Sequence, residues 1–89
     1  MAEVVLTERF VEDATAIWSD RLVQRIQQAV TNLERFPEMG SPDVPRTIKQ
    51  EFGRGVRKYV IPPFDLVYEY DDSSDVVTVY GLIPCANAS

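Results

Sequence analysis

Three prolines and a glycine fall within the ten residues 37–46 (PEMGSPDVPR), and this stretch divides the chain into halves of different character. Proline fixes φ, lacks an N–H, and pushes the residue before it out of the helical region. Phe36-Pro37 therefore closes whatever helix precedes it, and residues 37–46 make a rigid, irregular connection. Before the connection, apolar residues recur at helical spacing; well after it, they alternate as in strands. The 89 residues leave room for one domain only. The expected fold is α+β, with an N-terminal helical segment packed on a C-terminal antiparallel sheet of three or four strands, in the order β-α-α-β-β-β.

In the first half, residues 3–6 (EVVL) read as a short edge strand. Thr7 follows as a candidate N-cap, with Glu8 at the positive end of the helix. Phe10, Ala14, Ile17 and Trp18 begin an apolar stripe that Leu22, Ile26, Ala29, Val30 and Leu33 continue. One helix over residues 8–35 would be about 42 Å long, a poor fit to so small a domain. Ser19-Asp20 is the only local break, since both residues cap helices well, so a tight helix pair is expected, with one long helix as the alternative. Trp18 is either core or partner-facing.

In the second half, TIKQEF (47–52) reads as a helical turn, and Gly53 and Gly55 mark loop or bulge positions. VRKYVI (56–61) is a strand that Pro62-Pro63 interrupts. In FDLVYEY, Phe64, Leu66, Tyr68 and Tyr70 share one face, and Asp65, Val67 and Glu69 the other. DDSSD (71–75) is a polar turn, so residues 64–70 and 76–83 should form a hairpin. VVTVYGLI is apolar on both faces, as in a central strand covered on both sides. PCANAS reads as a frayed end.

Much chemistry is excluded at once. With Cys85 as the single cysteine and no histidine, there is no internal disulfide, no zinc site built from His or Cys, and no imidazole base. No cofactor is implied. Asp65 and Glu69 share a strand face but lie roughly 13 Å apart, too far for a glycosidase pair. Residues 71–75 lack the spacing and glycine of a calcium loop. Residues 1–20 contain five acids and do not make a signal peptide, and no apolar run approaches the ~20 residues of a membrane span. A cytoplasmic location is the expectation.

Charge is unevenly placed. The net charge is −5, yet residues 46–58 hold Arg46, Lys49, Arg54, Arg57 and Lys58 against Glu51 alone, a local +4 that leaves −9 elsewhere. Arg57 has three roles open to it: a cross-hairpin ion pair with Glu69 or Asp65, recognition of a protein partner, or phosphate binding or catalysis. The four tyrosines suit packing better than base stacking, since Tyr68 and Tyr70 flank Glu69 and precede Asp71 and Asp72.

The order of these pieces resembles the RelE/ParE superfamily of toxins from type II toxin–antitoxin modules, over nearly the whole chain. LTERFVEDATAIW comes first, then a helical stretch ending LERFPEMG, then GVRKYVIPPFDLVYEYDDSSDVVTVYGLI. Leu33, Pro37 and Gly40 supply a Leu-x-x-x-Pro-x-x-Gly element, and Arg57 precedes the strand Phe64-Asp65-Leu66-Val67-Tyr68. The resemblance implies a helix pair against a curved antiparallel sheet. It implies a protein that arrests growth, either by cutting messenger RNA at the ribosome or by poisoning DNA gyrase, and that a cognate antitoxin neutralises. It places Arg57 as the candidate catalytic residue, and Lys49, Arg54, Arg57, Lys58 and Tyr68 as candidates for binding nucleic acid or a partner. The chain departs from relatives at Pro84-Cys85-Ala86, where many carry a histidine or glycine closely followed by arginine, and at Asp65, a position often basic. These departures favour action through protein binding, on a target such as gyrase, or an attenuated member retained with its antitoxin; ribosome-dependent mRNA cleavage is the enzyme alternative, and a non-toxic protein-binding domain the third.

Overall fold

Ser19 decides the helical question. Its Oγ accepts a hydrogen bond from the Leu22 N–H at 3.2 Å, capping a second helix and ending the possibility of one long rod. The computed structural model describes residues 1–85. Strand β1 (Glu3–Leu6) leads to helix α1 (Glu8–Thr15) and helix α2 (Asp20–Arg35). Helix α3 (Arg46–Phe52) follows the proline-rich connection, and strands β2 (Val56–Ile61), β3 (Phe64–Asp71) and β4 (Val76–Pro84) complete the chain. The predicted helix pair, its break and the C-terminal hairpin are all present. Pro84 and Cys85 of the expected frayed end are placed, and the rest of it lies outside the described residues. Among the described residues no helix is long and apolar enough to cross a membrane.

The sheet runs β1-β4-β3-β2. Strands β2, β3 and β4 form an antiparallel meander, and β1 joins beside β4 in parallel, with Glu3 opposite Val76 and Leu6 opposite Val79. The two-residue turn at Pro62-Pro63 connects β2 to β3 with Ile61 opposite Phe64, so the prolines join two strands without entering a ladder. Thr7 works twice at the β1–α1 junction. Its Oγ accepts from the Phe10 N–H at 3.2 Å as N-cap and donates to the Val79 carbonyl at 2.8 Å, tying α1 to the central strand.

Strand β4 carries an extra residue. Val67 pairs with Gly81 but Tyr68 pairs with Val79, which leaves Tyr80 as a bulge. The bulge resets the alternation, so Val79 and Leu82 face the same core although three residues apart. Asp13 of α1 supports it by accepting the Leu82 N–H at 3.0 Å. Gly81 leaves room for that carboxylate, since a Cβ would come within 3.0 Å of Asp13 Oδ2.

Each face of the sheet has its own core. Phe10, Ile26, Ala29 and Leu33 from α1 and α2 bury against Ile61, Leu66, Tyr68, Val77, Val79 and Leu82. On the other face Val44, Ile48, Val56 and Val67 form a smaller cluster edged by Phe52, Tyr80 and Ile83. Strand β4 is thus covered on both sides, as its apolar sequence predicts. Trp18 belongs to neither core: α1 stops at Thr15, and the indole stands 95% exposed in the link to α2.

Candidate functional site

The basic residues of the 46–58 segment do not converge; the fold sorts them into two groups. The first lies on α3 and just beyond it. Arg46 and Lys49 are three residues apart on the helix, hence neighbours on its surface. Gly53 ends the helix with its N–H on the Lys49 carbonyl at 2.8 Å and a φ of 115°. That left-handed conformation suits glycine and turns the chain so that Arg54 returns beside Lys49. Arg46, Lys49, Gln50 and Arg54, with Val44 at the base, line an open groove of about 570 Å³.

No carboxylate among the described residues lies within ion-pair distance of these three cations. The acids that could reach them are occupied or turned away. Glu51 faces the other side of α3 and pairs with Arg9 of α1. Asp43, three residues before Arg46, forms no ion pair with it, and Glu69 accepts from the Tyr80 hydroxyl at 3.0 Å. Arg9 also lies 4.9 Å over the Phe52 ring, which in turn stacks on Tyr80, so α1 and α3 are joined by a cation–π and aromatic column. Arg46, Lys49 and Arg54 therefore keep their charge without an ion-pair partner among the described residues.

The second group serves the loop after α2. Arg57, half-buried on β2, donates through Nη1 to the Gly40 carbonyl at 2.8 Å and the Glu38 carbonyl at 3.2 Å. The Gly40 N–H donates to the Tyr68 hydroxyl at 2.8 Å, and Ser41 exchanges two backbone hydrogen bonds with Lys58, each 2.9 Å. Residues 38–41 are thereby clipped onto the edge of β2. Gly40 cannot be replaced without cost, since a Cβ would lie 2.6 Å from the Tyr68 hydroxyl and 2.8 Å from the Lys58 carbonyl.

Several sequence expectations are corrected here. Arg57 makes no ion pair with Glu69 or Asp65; it holds backbone carbonyls, and its register opposite Tyr68 points it at the loop. Tyr68 is fully buried, and burial pushes its pKa up against the opposing pull of the Gly40 hydrogen bond. Asp65 is 7% exposed, facing Cys85, whose Sγ lies 3.5 Å from it. Burial and the neighbouring Asp65 charge push the Cys85 thiol up, away from reactivity. Lys58 opens into a separate groove of about 270 Å³ with Met39, Gly40, Ser41, Tyr59 and Val60. Of the predicted binding residues Lys49 and Arg54 come together in the open groove, whereas Arg57, Tyr68 and Lys58 come together around the Gly40–Ser41 loop. Arg46 of the basic segment joins Lys49 and Arg54 in the groove, and its place three residues before Lys49 on a helix is the sequence signal for it.

A model of the family described as the ParE toxin of type II toxin–antitoxin systems, parDE, matches residues 4–87. The chain belongs to the ParE toxin family. No curated protein sequence matches it. Among solved structures, the fold is similar to a chain of the RelBE2 toxin–antitoxin complex of Mycobacterium tuberculosis, with a TM-score of 0.74 at 18% identity over 93% of this chain and 96% of that one. The intact E. coli RelBE complex gives 0.71 at 13% identity over 96% and 98%, and the isolated E. coli RelE toxin 0.70 at 14% over 94% and 84%. At such identities these likenesses establish the fold. In this ParE-family chain the Leu33, Pro37, Gly40 and Arg57 pattern has a physical reading. Leu33 anchors α2 in the core, Pro37 follows its end, and Gly40 and Arg57 lock the loop to the sheet.

Proposed function

We propose that this chain is the toxin of a type II toxin–antitoxin pair, that it arrests growth by binding a protein target of the DNA gyrase kind rather than by cutting RNA, and that a cognate antitoxin neutralises it. The observation that carries the reading is the sorting of the basic residues. Arg57 and Tyr68, the groups an RNA-cleaving centre would draw on, are committed to holding a loop. The cations left free stand in a groove lined by no carboxylate, histidine or tyrosine, an arrangement that suffices for binding an anionic surface. The antitoxin partner is supported by family membership and by the complexes that share the fold.

The test is induced expression in a bacterial host, followed by assays with purified protein. Growth arrest is expected, relieved in a folded Lys49→Glu, Arg54→Glu double variant. Purified protein is expected to inhibit gyrase supercoiling and to leave ribosome-bound messenger RNA intact. Codon-dependent cleavage of that RNA would overturn the binding mechanism, and unimpaired growth with soluble protein would overturn the toxin assignment.

A further inference from the structure

We infer that the groove of Arg46, Lys49 and Arg54 is a docking site for an acidic segment of a partner protein, one that sets carboxylates on the three cations and an apolar side chain against Val44. The inference rests on the binding reading above and specifies what the free cations hold.

The first support is that the arrangement works against the isolated chain. Like charges gathered on one short helix and its exit repel one another, and none of the described carboxylates relieves them. Glu51, which could, is drawn to Arg9 on the far side of α3. An incoming anion removes that repulsion. Two arginines offer planar forks that bind carboxylates bidentately, and Lys49 between them is a compact point charge.

The second support separates an acidic protein segment from a nucleic acid. The positive field is local: outside residues 46–58 the chain carries −9. The field of the cations decays over about 8 Å at physiological salt, so a long polyanion leaving the groove meets the acidic body of the same small molecule, whose extents are 35 × 27 × 21 Å. A peptide needs to be acidic only where it crosses the groove. No aromatic ring lines the groove to stack a base. The tyrosines are engaged elsewhere: Tyr68 in the core, Tyr70 on Asp75, Tyr80 on Phe52 and Glu69, and Tyr59 packed against the α1/α2 core. Gln50 and Val44 instead supply an amide for a peptide backbone and an apolar contact for a side chain.

The experiment measures binding of a short dye-labelled peptide alternating glutamate with leucine and serine, by fluorescence anisotropy against the full chain. Its glutamine counterpart and a single-stranded oligouridylate of equal charge are the comparison probes. The expected result is saturable binding of the glutamate peptide alone, weakened about tenfold by Lys49→Glu and by Arg54→Glu. Arg21→Glu, the same charge change on an exposed position of α2, should leave affinity within about twofold. Retention in Lys49→Arg would separate charge from structural damage. The inference is overturned if the oligouridylate binds more tightly through the same residues, if the Lys49 and Arg54 reversals do no more than Arg21→Glu, or if the peptide does not bind. Growth arrest without peptide binding would remove this inference and leave the toxin reading standing. Peptide binding without growth arrest would do the reverse.

Discussion

The two faces of the sheet are made from the same strands by simple alternation, yet they are finished differently. Under α1 and α2 the core is continuous, from Phe10 and Ile26 through Leu33 to the fully buried Tyr68, Val77 and Val79. Under α3 the cluster is small, and a seven-residue helix covers it with cations facing outward. Apolar area removed from water is the main source of stability, at about 25 cal/mol per Å². The first face therefore holds the fold together, while the second can keep unpaired charge without threatening it. The contrast teaches where substitutions should unfold the protein and where they should only disable it.

The largest effect expected tests that contrast directly. Leu33→Ala removes a fully buried side chain from the larger core and should cost about 3–5 kcal/mol, while Ile48→Ala on α3 should cost about 2 kcal/mol. Urea denaturation of both variants measures this. For a domain of this size the first loss consumes most of the stability available. Equal costs on the two faces would break the comparison and make α3 an integral part of the cooperative fold.

The loop clamp sits on the larger face and should come next. Gly40→Ala pushes a methyl into the Tyr68 ring edge and the Lys58 carbonyl, neither free to move, at a cost of about 2–3 kcal/mol. Tyr68→Phe leaves the buried Gly40 N–H without its acceptor and should cost about 1–2 kcal/mol. The two should not add. With the hydroxyl gone, the closest contact at 2.6 Å disappears, so Gly40→Ala is milder in the Phe background. A double-mutant cycle by thermal denaturation reads the difference, and strict additivity would mean the loop is not held through Tyr68.

The clamp also shows how far the residues alone could be read. Helix ends were legible because they depend on neighbours in sequence: Thr7, Ser19 and Phe36-Pro37 act within a turn or two. Strand faces were legible in β3 because alternation is local, and they were obscured in β4, where one bulged residue at Tyr80 resets the period. The role of Arg57 was not legible. Its partners, Glu38 and Gly40, lie 19 and 17 residues away on a loop whose path is irregular, and backbone carbonyls leave no mark in a sequence. The face of Tyr68 is legible and packing is its expected role, but its complete burial is not, because alternation gives a side and not a depth. Trp18 was drawn into the helical stripe, which α1 abandons at Thr15. The basic groove is half visible in the sequence: helix spacing makes Arg46 and Lys49 neighbours, but it takes the turn at Gly53 to bring Arg54 back beside them.

Arg57→Ala sharpens the separation between clamp and groove. Losing the two carbonyl contacts should cost about 1–2 kcal/mol and speed amide exchange at Ser41 and Lys58, the residues that hold the loop to β2. Affinity for the glutamate peptide should stay within about twofold, because Arg57 does not line the groove. Loss of growth arrest in this variant would then report a loosened fold rather than a missing catalytic group. A folded, fully stable Arg57→Ala protein that had lost activity would return Arg57 to the chemistry and break the division.

The smallest effect lies at high pH and distinguishes the two faces by their tyrosines. Burial raises Tyr68 on the larger face, whereas Tyr80 on the smaller face is raised by burial and also by its hydrogen bond to Glu69. Tyr70, at the β3–β4 turn, is pushed up to about 12 chiefly because its hydroxyl donates to Asp75 at 2.7 Å. A raised folded-state pKa means the unfolded chain releases its proton first. The contribution of these groups is therefore complete below the ordinary tyrosine pKa of about 10 and is lost as pH rises from there through the folded values. Phenolate absorbance during an alkaline titration should show Asp75→Asn returning Tyr70 toward its ordinary range while Tyr68 and Tyr80 stay where they were. Glu69→Gln should lower Tyr80 alone, since Tyr68 owes its shift to being buried under α2 rather than to a carboxylate bond. If Glu69→Gln moved Tyr68 as well, the two faces would be electrostatically coupled through β3, and the smaller face could not be altered without disturbing the one that holds the fold.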